Sequence, residues 1–574
     1  MPGLRAQVIQ DAGWRTIMVR RAASVLTCVL LVQSCAAQAP TAVSPDAQSV
    51  AKPSAPLVSI DRPMGEPVAR AMLGRFGYGP TVGDIRRVAA LSLREYVDAG
   101  IRGSSELPAP IAVRIAAMPA AGPLLPIWEI YGVGGSAREA VRDDPERRKQ
   151  IERQEREYLQ DAVQARLLAM ANSPNQAHEA LLSFWLNHFS IFGPKNLDKL
   201  LAFDYARHIE AAMKDDSFEA LLRASFRHPA MQFFLDNAQS TAPTSEVARS
   251  AALATNGGRN MGINENLARE LLELHTLGVD GGYTQTDIQE LARIITGAGA
   301  WSPRMVDRNL ERAGATRDGV FLFDPRRHDH GAKNLLGEVF PATDTRGGMS
   351  EIDRALGLLA RHPATARHIS RKLALRFLSD NPSDATIAAM SAAYRSSGGR
   401  ISAVLNAMMG TAEFTQSLAE RAKFREPLDQ LLATARAACQ DQTIGNAELL
   451  GATAVDTGQA PFMRSTPDGY GAREADWFSP AALAKRVRFA IGVATERAPL
   501  ATGSDMASGT PRMRAGEGEG GRPRFLEGTS CRPDAAAIAA TLGPLSPATT
   551  AAIQNLGPRE RVAVLLASPE ALRR

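Results

Sequence analysis

Hydrophobic residues recur at helical spacing along most of this chain, and that feature leaves little room for a fold not built from helices. The pattern runs through residues 144–171, 175–240, 263–299, 350–379, 384–419 and 426–440. In 144–171 it is a thin stripe of Ile151, Leu159, Val163 and Leu167, and the charged remainder reads as a solvated face. Residues 70–101 give two further amphipathic stretches broken by Gly77-Tyr78-Gly79-Pro80. Residues 108–135 are punctuated by Pro and Gly and read as irregular. Only Gly319–Phe340 looks extended. The expected fold class is all-α: a large multi-helix domain with a short β-hairpin or loop excursion near 319–340. Abundant alanine points the same way.

The N-terminal region addresses location. Arg20 and Arg21 precede the mostly apolar run Ala22–Val32, which is too short to span a membrane and has the shape of an export signal. Residues 1–17 add nothing to such a signal, so Met18 is a candidate start. The run ends in Leu31-Val32-Gln33-Ser34-Cys35, which resembles a bacterial lipobox. On that reading residues 1–35 are removed up to Cys35, whose lipid anchors a periplasmic protein to the membrane, the outer membrane by expectation. Ordinary cleavage near Cys35-Ala36-Ala37-Gln38-Ala39 would instead release a soluble form. Residues 36–62, rich in Ala, Pro and Ser, are expected to be a disordered tether. The helical domain is then expected over 63–499 and 531–574, with 500–530 a Gly-rich disordered insertion. Of four cysteines only Cys439 and Cys531 lie in the body. In an oxidising compartment they could pair, or they are two unrelated thiols.

Composition narrows the functional classes. A net charge of +5 is small for 574 residues, and no basic segment is interleaved with aromatics, so nucleic acid is not an expected partner. There is no Gly-rich phosphate loop, no GxSxG elbow, no CxxC and no HExxH.

Two histidines stand where leucine belongs. In the helical stretch from Asn264, Leu267, Leu271 and Leu274 define the apolar face, and His275 falls among them. In Ala180–Lys195, His188 clusters with Leu181, Phe184 and Trp185, with Asn187 at the edge. A buried neutral imidazole needs one partner for its N–H and another for its bare nitrogen. Asn187, Asn264 or Glu270 could share a polar pocket with the pair. A third cluster is His328-Asp329-His330-Gly331, followed by Lys333. Imidazoles and carboxylates from three segments are components of a divalent-metal site or of a general acid–base pair. Each histidine alone also fits a satisfied core residue. Glu265, Arg269, Glu270 and Glu273 fit helix-stabilising ion pairs, Arg269 with Glu273 at i,i+4. Gly278 is expected to end the first helix and Thr284 or Thr286 to cap the next.

The motifs RFGYGP, FWLNHF, HPAMQFFLDNAQS, NENLARELLELHTLGVDGGYTQTDIQELARIITG, HDHGAKNLLG, RHPATARHISRKLALRFLSDNP and KFREPLDQLL occur in this order. Together they resemble the bacterial family filed as domain of unknown function 1800, from about residue 65 to the end. The resemblance implies an exported, mostly helical protein, often encoded beside a sulfatase-like exported family, and it supplies no reaction. Its motif residues here are Trp185, Asn187, His188, Phe189, His228, Asp236 and Asn237. They continue with Asn264, Glu265, Asn266, Arg269, Glu270, Glu273, His275, His328, Asp329, Gly331 and Lys333. The chain departs from the pattern at Ala71, where a histidine is usual, and at Ala298, where a tryptophan is usual; His330 is outside the pattern. If the histidine missing at 71 were a ligand, the site would be incomplete.

Two functional readings follow. One is an exported hydrolase acting on an envelope or extracellular polymer. Its catalytic candidates are His188, Glu270, His275 and Asp329. In its metal form His188, His275 and His328 hold the ion and activate water. Trp185, Asn187, Asn264, Glu265, Arg269, Glu273 and Lys333 support them. The other is a non-catalytic helical scaffold or partner of the co-encoded exported protein, its buried polar residues fixing helix register.

Overall fold

Helix-start signals in the sequence become caps in the fold. The computed structural model describes residues 58–139, 144–254, 262–305, 307–344, 347–501 and 531–574. With 62% helix and 5% strand the fold is all-α with a small β excursion. The helices that matter below are α1 (Gly65–Arg75), α2 (Pro145–Asn172), α3 (Gln176–His188), α4 (Asp198–Met213), α5 (Asn266–Glu270) and α6 (Gln285–Ile294). They continue with α7 (Gly348–Arg361), α8 (Pro363–Phe377), α9 (Pro427–Cys439), α10 (Pro480–Ala494) and α11 (Ala535–Leu542). Asp144 caps α2 by accepting from the N–H groups of Glu146 and Arg147, with Pro145 at the first helical position. Thr284 caps α6 in a reciprocal box with Asp287, and Gly278 turns the chain before it at φ +87°.

The strands are all of three residues, and only β2, β3 and β5 carry a β-branched or aromatic residue. β1 (Ala298–Ala300), β2 (Thr316–Asp318) and β3 (Phe321–Phe323) make an antiparallel sheet in the order β1-β3-β2, with Ala298 opposite Phe323 and Asp318 opposite Phe321. β4 (Lys333–Leu335) and β5 (Glu338–Phe340) are a separate hairpin, turned by Leu336 and Gly337, both at positive φ. The excursion is therefore wider than 319–340, because β1 and β2 lie outside that range. Helical periodicity over 263–299 also overreaches: α6 stops at Ile294 and small residues continue as β1. Residues 108–135 are less irregular than expected, since Ala109–Ala116 and Leu124–Tyr131 are helical.

The buried apolar side chains fall into two clusters. The larger joins α1, α3, α4, α7, α8 and β3. The smaller joins the C-terminal half of α2 to α9, α10 and α11. A buried polar layer lies between them. Arg376 reaches Glu426 and Asp429 at 2.8 Å each, and Arg574 reaches Asp429 at 2.8 Å. Cys439 and Cys531 are joined in a disulfide, which settles the question left open by their spacing.

The body extends slightly beyond the expected bounds. The Val58 N–H donates to Thr415 Oγ1 and Asp61 pairs with Arg94, so residues 58–62 belong to it and not to the tether. Leu500 and Ala501 also belong, Ala501 bridging to Ile444. The expected signal 1–35 with Cys35, the tether up to residue 57 and the insertion over 502–530 lie outside the described residues. Among the described residues no helix is long and apolar enough to cross a membrane.

Candidate active site

His188 ends α3, and His275 ends a π-helical turn, Leu271–His275, that follows α5 directly. Such turns widen the helix by one residue and leave carbonyls unclaimed. Here two of them take imidazoles. His188 Nε2 donates to the carbonyl of His275 at 3.1 Å, and His368 Nε2, from α8, donates to that of Leu274 at 3.1 Å. The His188 ring lies 6.0 Å from His275 and 6.4 Å from His368, centroid to centroid. The two out-of-place histidines do meet, and a third joins them.

These donations fix tautomers. With Nε2 donating, His188 and His368 each keep a bare Nδ1. His188 Nδ1 and both ring nitrogens of His275 are buried and lack a hydrogen-bond partner among the described residues. Both residues are 1% exposed. Burial, then the neighbouring Lys372, hold the His188 imidazole well below the usual range and push His275 down to about 3 and His368 to about 4. All three are neutral at physiological pH.

Lys372 lies one helical turn after His368. It has no hydrogen-bond or ion-pair partner among the described residues, and burial pushes its ammonium down to about 8. Although its surroundings are desolvated, it keeps part of its surface, because it opens into a cavity of about 620 Å³ on the seam between the two clusters. Phe184, Ile191 and Phe462 bound that cavity from one side, and Tyr78, Met170 and Leu428 from the other. The segment 461–477 supplies Arg464, Asp468, Tyr470 and Trp477. Asn187 holds this segment: its amide donates to the Tyr470 carbonyl at 3.0 Å and accepts from the Tyr470 N–H at 2.7 Å. Gly469 is required there, at φ +75°, since a Cβ would stand 2.2 Å from the Asn187 carbonyl oxygen.

Glu270 makes no hydrogen bond to His275. Burial first, then Glu273, raise its carboxyl above the usual range, and Asp468 adds to this. Asp468 also acts on Lys372, so one carboxylate at the cavity wall couples the acid and the amine electrostatically.

The other expected site residues are elsewhere. His328 donates from Nδ1 to the Thr296 carbonyl at 2.9 Å and meets the Glu351 carboxylate through Nε2 at 2.9 Å. Lys333 pairs with the same carboxylate at 2.9 Å. Asp329 is clamped by Arg293 at 2.9 and 3.2 Å. The HDHGAK cluster is thus internally satisfied, and neither His328 nor Asp329 joins His188 and His275 in a hydrogen bond or ring contact. The expected metal set His188, His275 and His328 does not assemble, because both His328 nitrogens are already engaged. Among the described residues no three His, Cys, Asp or Glu side chains converge as metal ligands. Asn264 accepts from the Asn266 N–H at 2.8 Å, starting α5. Arg269 pairs with Glu265 at 3.2 Å and not with Glu273, which accepts from the Tyr283 hydroxyl at 3.3 Å. Trp185 packs edge-on against His188. Ala71 lies at a second cavity, so the departure there leaves the His188 cluster intact. Sequence reasoning missed His368, Lys372 and Glu351. The i,i+4 spacing of His368 and Lys372, one face of α8, was the available signal for two of them.

The histidines give a pH expectation. An unfolded chain protonates its imidazoles below about 6.5. The native His275 refuses the proton until about 3, so stability falls as pH drops from 6.5. At pH 4 this residue alone withholds roughly 3 kcal/mol. Denaturation of wild type and His275→Leu at pH 7 and pH 4 checks it. The variant should lose less stability on acidification; equal losses would mean that the ring accepts a proton in place.

No curated protein and no solved structure matches the chain. A family profile does, over residues 71–573, nearly the whole described body. The chain belongs to the family described as protein of unknown function (DUF1800).

Proposed function

We propose that this protein is an exported cell-envelope hydrolase that works in the cavity between the two clusters. One observation carries the reading: buried imidazole nitrogens without partners among the described residues stand behind Lys372, whose amine likewise has none there and opens into the cavity. A packed scaffold satisfies such atoms, and each one left bare costs about 1–3 kcal/mol. In this reading the unprotonated Lys372 amine takes the proton of an attacking water and, as the ammonium so formed, gives it to the leaving group, while Glu270, which is not among the residues lining the cavity, acts on it only through Asp468. His188 and His275 keep the amine's surroundings neutral and dry. Lowering a base toward neutrality is what acid–base catalysis by an amine needs. The Cys439–Cys531 disulfide supports an oxidising, exported location. A lipid anchor at Cys35 and a co-encoded exported partner remain part of the proposal.

The test uses purified mature protein with isolated sacculi and, separately, extracellular polysaccharide, reading soluble reducing ends. Wild type should release fragments, with a rate rising toward pH 8 as Lys372 loses its proton. Lys372→Met should be slower by about 100-fold or more with melting retained, and Glu270→Gln, outside the cavity lining, by far less. Equal release by Lys372→Met overturns the assignment, and no release from either polymer overturns the hydrolytic reading. The scaffold alternative rests on the internally satisfied HDHGAK cluster. It requires His275→Leu to destabilise at pH 7, whereas loss of two orphaned nitrogens should stabilise.

A further inference from the structure

A second cavity, of about 730 Å³, opens where α1 meets the chain after α11. Val68, Ala71, Leu418, Leu542 and Leu545 give it largely apolar walls. Five arginines line it; Arg573 and Arg574 pair with carboxylates, which leaves Arg70, Arg421 and Arg425. No carboxylate lies within ion-pair distance of any of them among the described residues. Arg70 Nε donates to the Ala540 carbonyl at 2.8 Å and Arg421 to that of Leu542, at the C-terminal end of α11. Of these three Arg425 is the deepest, at 6% exposure. Its Nε donates to the Arg573 carbonyl at 3.3 Å, and its Nη1 is buried with no partner among the described residues. Its guanidinium packs beside Gly74 and Gly79, where a Cβ would stand in ordinary contact at 3.4 Å from Nη2 and 3.7 Å from Nη1.

The remaining charges do not neutralise the trio. Arg573 pairs with Glu474, and Arg574 with Asp429. Glu570 tempers Arg421 but accepts from the Ser546 N–H and the Thr549 hydroxyl. Glu420 accepts from Gln416. The arginines act on one another instead. Burial and then, after the opposing pull of Asp429, Arg421 push the Arg425 guanidinium down to about 10, and Arg70 adds to the lowering of Arg421. A buried cation without a counter-charge is costly, and neighbouring like charges raise that cost.

We propose that this cavity binds an amphipathic anion, an acidic headgroup on an unbranched apolar chain, with Arg425 taking the headgroup at the base and Arg70 and Arg421 flanking it. The guanidinium supplies the planar donor edge that carboxylate and phosphate oxygens accept, and the apolar walls receive the chain. The inference is independent of the hydrolytic reading, since none of these groups bounds the first cavity.

Titration calorimetry on the mature protein, with decanoate, decyl phosphate, decanol and acetate as probes, tests it. At least one of the two decyl anions should bind, and which one identifies the headgroup. Decanol and acetate should each bind at least tenfold more weakly. Ala71→Phe, which fills the cavity and keeps every arginine, should weaken the anion at least tenfold. Arg425→Met should abolish its binding while melting at or above the wild-type temperature, because an uncompensated charge has been removed. Decanol binding as tightly as the anions, binding unchanged in Ala71→Phe, or no binding of either anion would each overturn the proposal. If Arg425→Met melts lower, Arg425→Lys, which keeps the charge and loses the fork, must still bind more weakly than wild type, and equal binding overturns the headgroup assignment.

Discussion

Replacing Glu351 by alanine should cost about 3–5 kcal/mol of folding stability, the range for removing one member of a buried ion pair. Glu351 is buried on α7 and accepts from Lys333 at 2.9 and 3.0 Å and pairs with His328 at 2.9 Å. Its removal would leave the fully buried Lys333 ammonium with only the Asp329 carbonyl, and the His328 imidazole with one empty side. Apolar replacement of both partners, Glu351→Leu with Lys333→Met, should recover most of the loss, since the desolvated charges disappear together. Denaturant titration of the singles and the double gives the coupling directly. A loss below about 1 kcal/mol for Glu351→Ala would mean that the knot is solvated and free for chemistry. The expected result makes HDHGAK an architectural device that pins β4 to α7, with any activity falling only as fast as stability.

The contrast between this knot and the histidine cluster marks what the sequence can and cannot tell. Helical periodicity locates α2, α3, α7 and α8 because it is a local property, repeated over many residues. The cap at Thr284 is legible because it too is local, a Thr three residues before Asp287. Three-residue strands are not: Ala298–Ala300 carries no β-branched residue, and its pairing with Phe321–Phe323 is made by tertiary contact. Among site residues, His188 and His275 stand out because each breaks an apolar stripe, and the structure brings them together. His328 and Asp329 attract notice by composition alone, and composition does not reveal that Glu351 and Arg293, each more than 20 residues away in sequence, have already claimed them. Lys372 is the reverse case. A lysine on a helix is ordinary in sequence, and only the fold shows that among the described residues no carboxylate pairs with it, Asp468 acting on it from a distance.

Severing the Cys439–Cys531 disulfide should remove about 4–5 kcal/mol, the chain-entropy value for closing a loop of this length. The bridge spans 92 residues of sequence, and long loops gain most from closure. It joins the end of α9, which carries the buried Asp429, to the strand of chain that leads into α11, so it ties the polar seam to the wall of the second cavity. Cys439→Ser with Cys531→Ser, compared with wild type by denaturant titration with and without reductant, measures it. Wild type in reductant should match the double variant, and reductant should leave the double variant unchanged. Because α11 contributes Thr541 and Leu542 to the second cavity and no residue to the first, partial unfolding on reduction should strike them unequally. Decanoate or decyl phosphate binding should weaken before the Lys372 amine changes its titration near pH 8. Simultaneous loss of both would mean that the two clusters unfold as one cooperative unit, with the polar layer of Arg376, Glu426 and Asp429 coupling them more tightly than the bridge does.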